Sequence, residues 1–185
     1  MNICNDLQLH ILEFIPNQSK YLSNLQLICK NYKYYLQERL DKVYWNVVEN
    51  LIGKNETDKI KQGSTFAGDL YLSYKQIGVK TCKILAPALA QMTALKNLGL
   101  SNNQIDGKAC NHLAPALKEM TALKGLYFGG NKIDAKACEH LAPALANMTA
   151  LKEISLYKNR IDATGKEMMR KAWKKTGKNR YGLYL

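Results

Sequence analysis

A 28-residue phrase recurs along the second part of this chain and limits what the chain can fold into. Its copies start at Leu70, Leu98, Leu126 and Ile154, and the last three read LGLSNN, LYFGGN and ISLYKN. A fixed period of this length is typical of stacked supersecondary units, not of an ordinary globular core. Such arrays present a repeated surface to a partner. We therefore expect a binding protein.

Each copy combines a predicted strand with a predicted helix. Apolar residues alternate at its start, as at Leu98 and Leu100, which predicts a short strand. An asparagine is then expected to turn the chain through side-chain hydrogen bonds to the backbone. An aspartate three residues later occupies a helix N-cap position ahead of an apolar stripe. These polar residues are Asn103, Asn131 and Asn159, and Asp106, Asp134 and Asp162.

Pro87, Pro115 and Pro143 fall inside the predicted helices. Proline lacks the N–H donor and clashes with the carbonyl four residues earlier. We expect a kink at each proline, or a break into two short helices with the proline opening the second.

Three of the five cysteines, Cys82, Cys110 and Cys138, occupy the same position in successive copies. The backbones of neighbouring packed helices lie about 8–10 Å apart, whereas a disulfide needs Cα atoms within about 7 Å. We expect reduced, buried thiols, which indicates a reducing compartment.

The two halves of the repeat pack at different spacings, which predicts a curved array. Strands pair at about 4.7–4.9 Å but helices need about 8–10 Å, so the strands should line the inner, concave face. The expected fold class is α/β, with inner parallel strands and outer helices. Residues 67–185 should form four repeats and a C-terminal helical cap, in which Trp173 covers the last repeat.

The pattern LxxLxLxxNxI at residues 95–105 resembles a leucine-rich repeat. Its length and helical half resemble the ribonuclease-inhibitor type, over residues 67 to about 170. The first copy departs from the pattern, because Ala67 replaces the leading leucine and Lys75 stands in the asparagine position. The recurring sequence motifs LAPAL and MTALK also resemble those of leucine-rich-repeat effectors of intracellular bacteria. The resemblance implies a short curved solenoid.

Side chains on either side of the core leucines of each strand should point out of the concave face. Tyrosine supplies contact area at low entropic cost, and small residues leave room for a partner. Crowding of strands inside an arc is an alternative reason for the small residues. The predicted partner-binding residues are Tyr71, Ser73, Asn97, Gly99, Ser101, Tyr127, Gly129, Glu153, Ser155 and Tyr157, with Asp69 and Gly125 beside them.

Residues 1–52 contain no repeat and are expected to form a small helical domain, followed by a polar connector at residues 53–66. The order of motifs in the domain resembles an F-box, with Phe14-Ile15-Pro16 ending a first helix and ICKNY at residues 28–32 further on. Two departures are Ile3-Cys4 in place of Leu-Pro and a tyrosine in place of tryptophan at the end of the second motif.

An F-box implies docking onto the small adaptor subunit of a cullin-type ubiquitin ligase, with the repeats selecting the target protein. The alternative is that these helices only cap the open apolar end of the array. The positions that the resemblance assigns to the ligase contact are Ile3, Cys4, Leu7, Ile11 and Leu12.

Other functional classes find less support in the sequence. It contains no Walker loop, dinucleotide fingerprint or nucleophile elbow. Cys110 and His112 lie two residues apart on a helix and cannot share one metal ion, so we expect neither metal nor cofactor. The whole net charge of +12 belongs to residues 61–185. Binding to nucleic acid is nevertheless disfavoured, because the charges are not interleaved with aromatic stacking residues.

The sequence thus predicts a non-catalytic, cytoplasmic adaptor of the F-box and leucine-rich-repeat type. The alternative is a leucine-rich-repeat protein that binds or inhibits a single protein partner without a ligase. Either one could be a bacterial effector delivered into the cytosol of a host cell. We find no apolar run of the length that a membrane span needs and no secretory signal at the N-terminus.

Overall fold

The computed structural model describes residues 45–54, 57–58, 68–178 and 181–185. The chain divides into two compact units, Met1–Trp45 and Asn46–Leu185, and every described residue except Trp45 belongs to the second. The predicted F-box-like helices lie outside the described residues. So do the five positions assigned to the ligase, which are Ile3, Cys4, Leu7, Ile11 and Leu12.

Strands and helices alternate along the second unit, one pair for each copy of the repeat. The elements are β1 (Gly68–Tyr71), α1 (Val79–Gln91), β2 (Leu95–Gly99), α2 (Gly107–Glu119), β3 (Gly125–Tyr127), α3 (Ala135–Asn147), β4 (Glu153–Ser155), α4 (Ala163–Lys175) and β5 (Leu183–Tyr184). The five strands form one parallel sheet in chain order. Each helix packs against the next one, so the helices form a second layer. This arrangement confirms the predicted α/β class and parallel sheet, and it is compatible with a curved leucine-rich-repeat solenoid.

Equivalent apolar residues of neighbouring copies lie side by side in the core. Leu98 pairs with Leu126, which pairs with Ile154, and all three are at most 1% exposed. The helices supply the other half of the core through the predicted stripe, as Cys110 and Leu113 of α2 show with no exposed surface. The 28-residue period therefore produces one continuous core between the two layers.

The predicted N-caps are present on three of the helices. The carboxylate of Asp106 accepts a hydrogen bond from the amide of Ala109 at 2.9 Å. Asp134 and Asp162 cap α3 and α4 in the same way. Helix α1 has Gly78 at its N-cap position and no side-chain cap, so the first copy lacks a feature that the others share.

The repeated asparagines do more than turn the chain, because each one joins two copies. Asn131 is 7% exposed. Its Nδ2 donates to the carbonyls of Leu100 and Phe128, each at 2.9 Å, and its Oδ1 accepts from the amide of Ile105 at 3.0 Å. Asn103 and Asn159 repeat these bonds one copy earlier and one copy later. Each asparagine thus fixes the loop of the copy before its own.

The predicted break at the prolines is wrong, since α1, α2 and α3 each run through their proline as one helix of 13 residues. Pro115 is exposed and so is Asn111, whose carbonyl would have received the missing hydrogen bond. The same holds for the other two prolines. At an exposed position, water can satisfy a carbonyl that lacks its helical donor, so the helix can continue.

The C-terminal tail forms a helix and also a fifth strand, which the sequence reading missed. Trp173 of α4 is 2% exposed, in keeping with its predicted role as a cap. Beyond it, Leu183 and Tyr184 pair with Ile154 and Ser155 of β4. The edge of β4 is therefore covered by the chain's own tail.

The described residues before β1 are partly helical. Residues 46–52 are helical, and Val48 and Ile52 are buried. Within the expected connector, the hydroxyl of Thr57 donates to the carbonyl of Gly53 at 2.7 Å, and Thr57 has no exposed surface. This end of the connector is therefore structured.

Candidate functional site

One face of the sheet is not covered by the helices, and we call it the open face. It carries three rows of side chains that run across the strands. The first row is Asp69, Asn97, Gly125 and Glu153, the middle row is Tyr71, Gly99, Tyr127, Ser155 and Tyr184, and the last row is Ser73, Ser101, Gly129 and Tyr157. All ten positions predicted for partner contact lie in these rows.

Tyrosines alternate with small residues along the middle row. Tyr71 is 60% exposed and Tyr184 is 53% exposed, whereas Tyr127 between them is half-buried. Strands lie about 4.8 Å apart, so neighbouring tyrosines in this row stand about 10 Å apart. The row therefore forms a ladder of aromatic rings that reaches from one edge of the sheet to the other.

The glycines of the open face lie beneath tyrosine rings. A Cβ added to Gly99 would lie 2.5 Å from Cδ1 of Tyr71, and one added to Gly129 would lie 2.5 Å from Cε1 of Tyr157. Any side chain at these glycines would push the ring away. The small residues are thus matched to the tyrosines beside them, which is more specific than the general crowding expected from the sequence.

This packing divides the predicted contact residues into two groups. Gly99, Gly129 and Ser155 are buried, and the two glycines lie under tyrosine rings. The residues that a partner can touch directly are exposed or half-buried. They are Tyr71, Ser73, Asn97, Ser101, Tyr127, Glu153 and Tyr157.

A line of polar contacts follows the first row. Asn97 Nδ2 donates to Asp69 Oδ1 at 2.6 Å, and the Tyr127 hydroxyl donates to Glu153 Oε2 at 3.5 Å. Burial raises the pKa of Tyr127, and the negative charges of Glu153 and Asp69 raise this pKa further. The hydroxyl therefore stays protonated at neutral pH, and both carboxylates lie close enough to act on it.

The repeated cysteines belong to the core and not to a site. Cys82, Cys110 and Cys138 are free and buried, as predicted. Burial raises the pKa of Cys82 to about 12 and that of Cys138 to about 11, and it also raises the pKa of Cys110. These thiols stay protonated and unreactive in the folded protein.

The rest of the described surface includes a groove on the helical layer. The hollow between α2 and α3 is an open groove lined by Pro115, Lys118, Glu139 and His140. Within the described ranges no group of three or more His, Cys, Asp or Glu side chains could hold a metal ion. No described helix is both long enough and apolar enough to cross a membrane.

Sequence reasoning missed Tyr184, although a signal for it exists. The tripeptide Leu-Tyr-Leu at residues 183–185 is identical to that at residues 70–72, the start of the first copy. It was overlooked because Leu183 follows Ile154 by 29 residues, one more than the period. Comparing tripeptides instead of counting the period would have placed a fourth tyrosine on the sheet.

Comparisons with known proteins show the fold. No protein-family model matches the sequence, and no curated protein matches it. Among solved structures, Leiomodin-1 Actin-Binding Site 2 is similar to this chain, with a TM-score of 0.57 and 18% sequence identity. The match covers 65% of this chain and 72% of that one. The chain thus shares with that structure a fold that is compatible with the leucine-rich-repeat solenoid.

Proposed function

We propose that the chain is a non-catalytic protein-binding module whose open face contacts a protein partner. The observation that carries this proposal is the tyrosine ladder, since it places several large, partly exposed rings on one uncovered face. Tyrosine is enriched at protein interfaces because its ring is apolar and its hydroxyl remains satisfied by polar partners. A face of this composition, rimmed by polar residues, is suited to a protein surface.

The packing under the rings also favours binding. Tyr71 lies on Gly99 and Tyr157 lies on Gly129, so these rings lose less freedom when a partner covers them. The similar solved structure is by its name an actin-binding site, which supports a protein as the ligand of this fold. The identity of the partner of this chain does not follow from that name.

Photo-cross-linking followed by a binding measurement tests the proposal. A benzophenone amino acid is placed at Ser101, in the last row, and in a second variant at Lys118, which is exposed on α2. We expect Ser101 to capture a protein that Lys118 does not. The captured protein is then purified, and its Kd is measured by calorimetry with the unmodified chain.

Tyr127→Ala is expected to weaken binding of the captured protein by about 1–3 kcal/mol, the usual cost of losing an interface aromatic. This raises the Kd roughly 5- to 150-fold. Tyr74→Ala is the matched control, because Tyr74 is 77% exposed but lies beyond β1 and outside the three rows. Thermal melts establish that both variants are folded. An unchanged Kd for Tyr127→Ala, or equal loss in both variants, would remove the open face from consideration.

We further propose that residues 1–52 connect this module to a cullin-type ubiquitin ligase. The support is the F-box-like order of motifs, FIP at residues 14–16 and ICKNY at residues 28–32. Purified full-length protein is expected to retain the small ligase adaptor subunit in a pull-down, and Ile11→Asp is expected to abolish this by placing a charge in an apolar contact. Lack of retention by the intact protein at micromolar concentration would reject the ligase role and leave the protein-binding module.

A further inference from the structure

The charged residues of the open face have the opposite sign to the net charge of the protein. The chain has a net charge of +12, yet the three rows contain no lysine or arginine. Their acidic side chains are the two carboxylates of Asp69 and Glu153. Of the neighbouring lysines, Lys96, Lys124 and Lys152 precede the first row at the edge where the strands begin, and Lys158 follows Tyr157 in the last row.

Within the described part of the chain, neither carboxylate forms an ion pair. The ion pair found there joins Lys171 to Glu167 on α4. Asp69 accepts one hydrogen bond from Asn97, and Glu153 accepts a long one from Tyr127. A carboxylate offers about four acceptor positions, so each retains capacity for further donors. The first row thus presents acceptors at both of its ends.

The aromatic rings of the open face also favour a cation. In the last row, Lys158 places its Nζ 5.7 Å from the centroid of the Tyr157 ring, within cation–π distance. Arginine is the side chain that satisfies both features, because its guanidinium forks onto a carboxylate and stacks on an aromatic ring. Tyr71 and Tyr127 supply such rings between Asp69 and Glu153.

The register of the sheet sets the spacing of the two acceptor ends. Asp69 pairs with Asn97, which pairs with Gly125, which pairs with Glu153. Three strand spacings separate Asp69 from Glu153, or about 14 Å. An extended peptide rises about 3.3 Å per residue, so four residues of such a peptide cover the same distance.

We propose that the open face recognises an extended, arginine-bearing segment of its protein partner. The segment crosses the strands, with one arginine at Asp69 and a second one, four residues away, at Glu153. This inference rests on the proposed function, since it names the chemistry of the partner for the same face. It predicts a basic ligand for a basic protein, whereas the net charge alone predicts an acidic one.

Calorimetry with the full-length protein and synthetic peptides tests the inference. The probe is Arg-Ser-Gly-Ser-Arg-Ser-Gly-Ser-Arg, compared with the same peptide carrying glutamate for arginine and with a peptide of equal composition whose arginines are contiguous. We expect the spaced arginine peptide to bind most tightly. In the double variant Asp69→Asn and Glu153→Gln its affinity should fall roughly tenfold, because two charge-assisted contacts are lost.

The matched control is the double variant Glu119→Gln and Glu139→Gln, which removes two exposed carboxylates from the outer helices and changes the net charge equally. We expect less than about a twofold change in the control, because these carboxylates lie on the other layer. Equal losses in the two double variants, tighter binding of the glutamate peptide, or no binding of the arginine peptide would each overturn the inference. If Tyr127→Ala still weakens binding of the cross-linked partner in that case, the proposed function survives and only the arginine preference fails.

Discussion

Replacing Asn131 by alanine should lower the free energy of unfolding by about 2–4 kcal/mol. Its side chain makes four hydrogen bonds in a buried position, three of them at 2.9 Å, 2.9 Å and 3.0 Å and a longer one, to the carbonyl of Gly129, at 3.5 Å. A buried hydrogen bond contributes about 0.5–1.5 kcal/mol, and a donor left unpaired costs about 1–3 kcal/mol. The amide of Ile105 is the group that would be orphaned. The carbonyls of Leu100 and Phe128 keep a second donor, from Asn103 and Asn159.

Urea denaturation monitored by circular dichroism measures this loss of unfolding free energy. Asn147→Ala is the matched control, because Asn147 also donates to a backbone carbonyl, that of Pro143, but lies exposed at the end of α3. We expect the control to lose no more than about 0.5 kcal/mol, as for other surface changes. If Asn131→Ala were as mild as the control, the asparagine would not be what joins neighbouring copies.

Replacing Phe128 by alanine should cost about 3–5 kcal/mol, the usual range for removing a fully buried phenylalanine. Phe128 has no exposed surface and heads the set of large, fully buried side chains. It stands where the other copies have Leu72, Leu100 and Leu156, which are at most 1% exposed. The loss combines the apolar surface returned to water with the cavity left between the sheet and the helices.

Phe128→Leu provides the graded control for this position. Because three other copies pack leucine here, the surrounding residues accept that shape, and we expect a loss below about 1.5 kcal/mol. Urea denaturation of both variants gives the two values on one scale. A loss for leucine close to that for alanine would mean that the third copy is built specifically around an aromatic ring and is not interchangeable with its neighbours.

The scaffold could be predicted from the sequence because its chemistry is local and periodic. Asp134 occupies the repeated N-cap position ahead of an apolar stripe, and capping depends on a residue only three positions away. Cys110 was placed correctly because it belongs to an apolar stripe with the helical period. The double role of Asn131 was predicted only in part, since the bond to Ile105 joins residues 26 positions apart and appears only once the copies are stacked.

The sequence predicted which residues lie on the open face but not how their side chains are arranged. Whether Tyr71 stands up or lies on Gly99 depends on a side-chain rotamer, which no sequence pattern encodes. The break at the prolines was wrongly predicted because the effect of a proline depends on which side of the helix loses the bond, and Asn111 is exposed. Tyr184 was missed because its strand is offset from the 28-residue period by one residue.

The direction of the asparagine bonds gives the array a polarity. Asn103 secures Ile77, Asn131 secures Ile105 and Asn159 secures Ile133, so each copy is completed by the one after it. During synthesis, a copy would therefore remain unfinished until its successor has left the ribosome. Removing the copy that carries Asn159 would therefore free the loop at Ile133, whereas removing the first copy would leave the bonds to Ile105 and Ile133 in place.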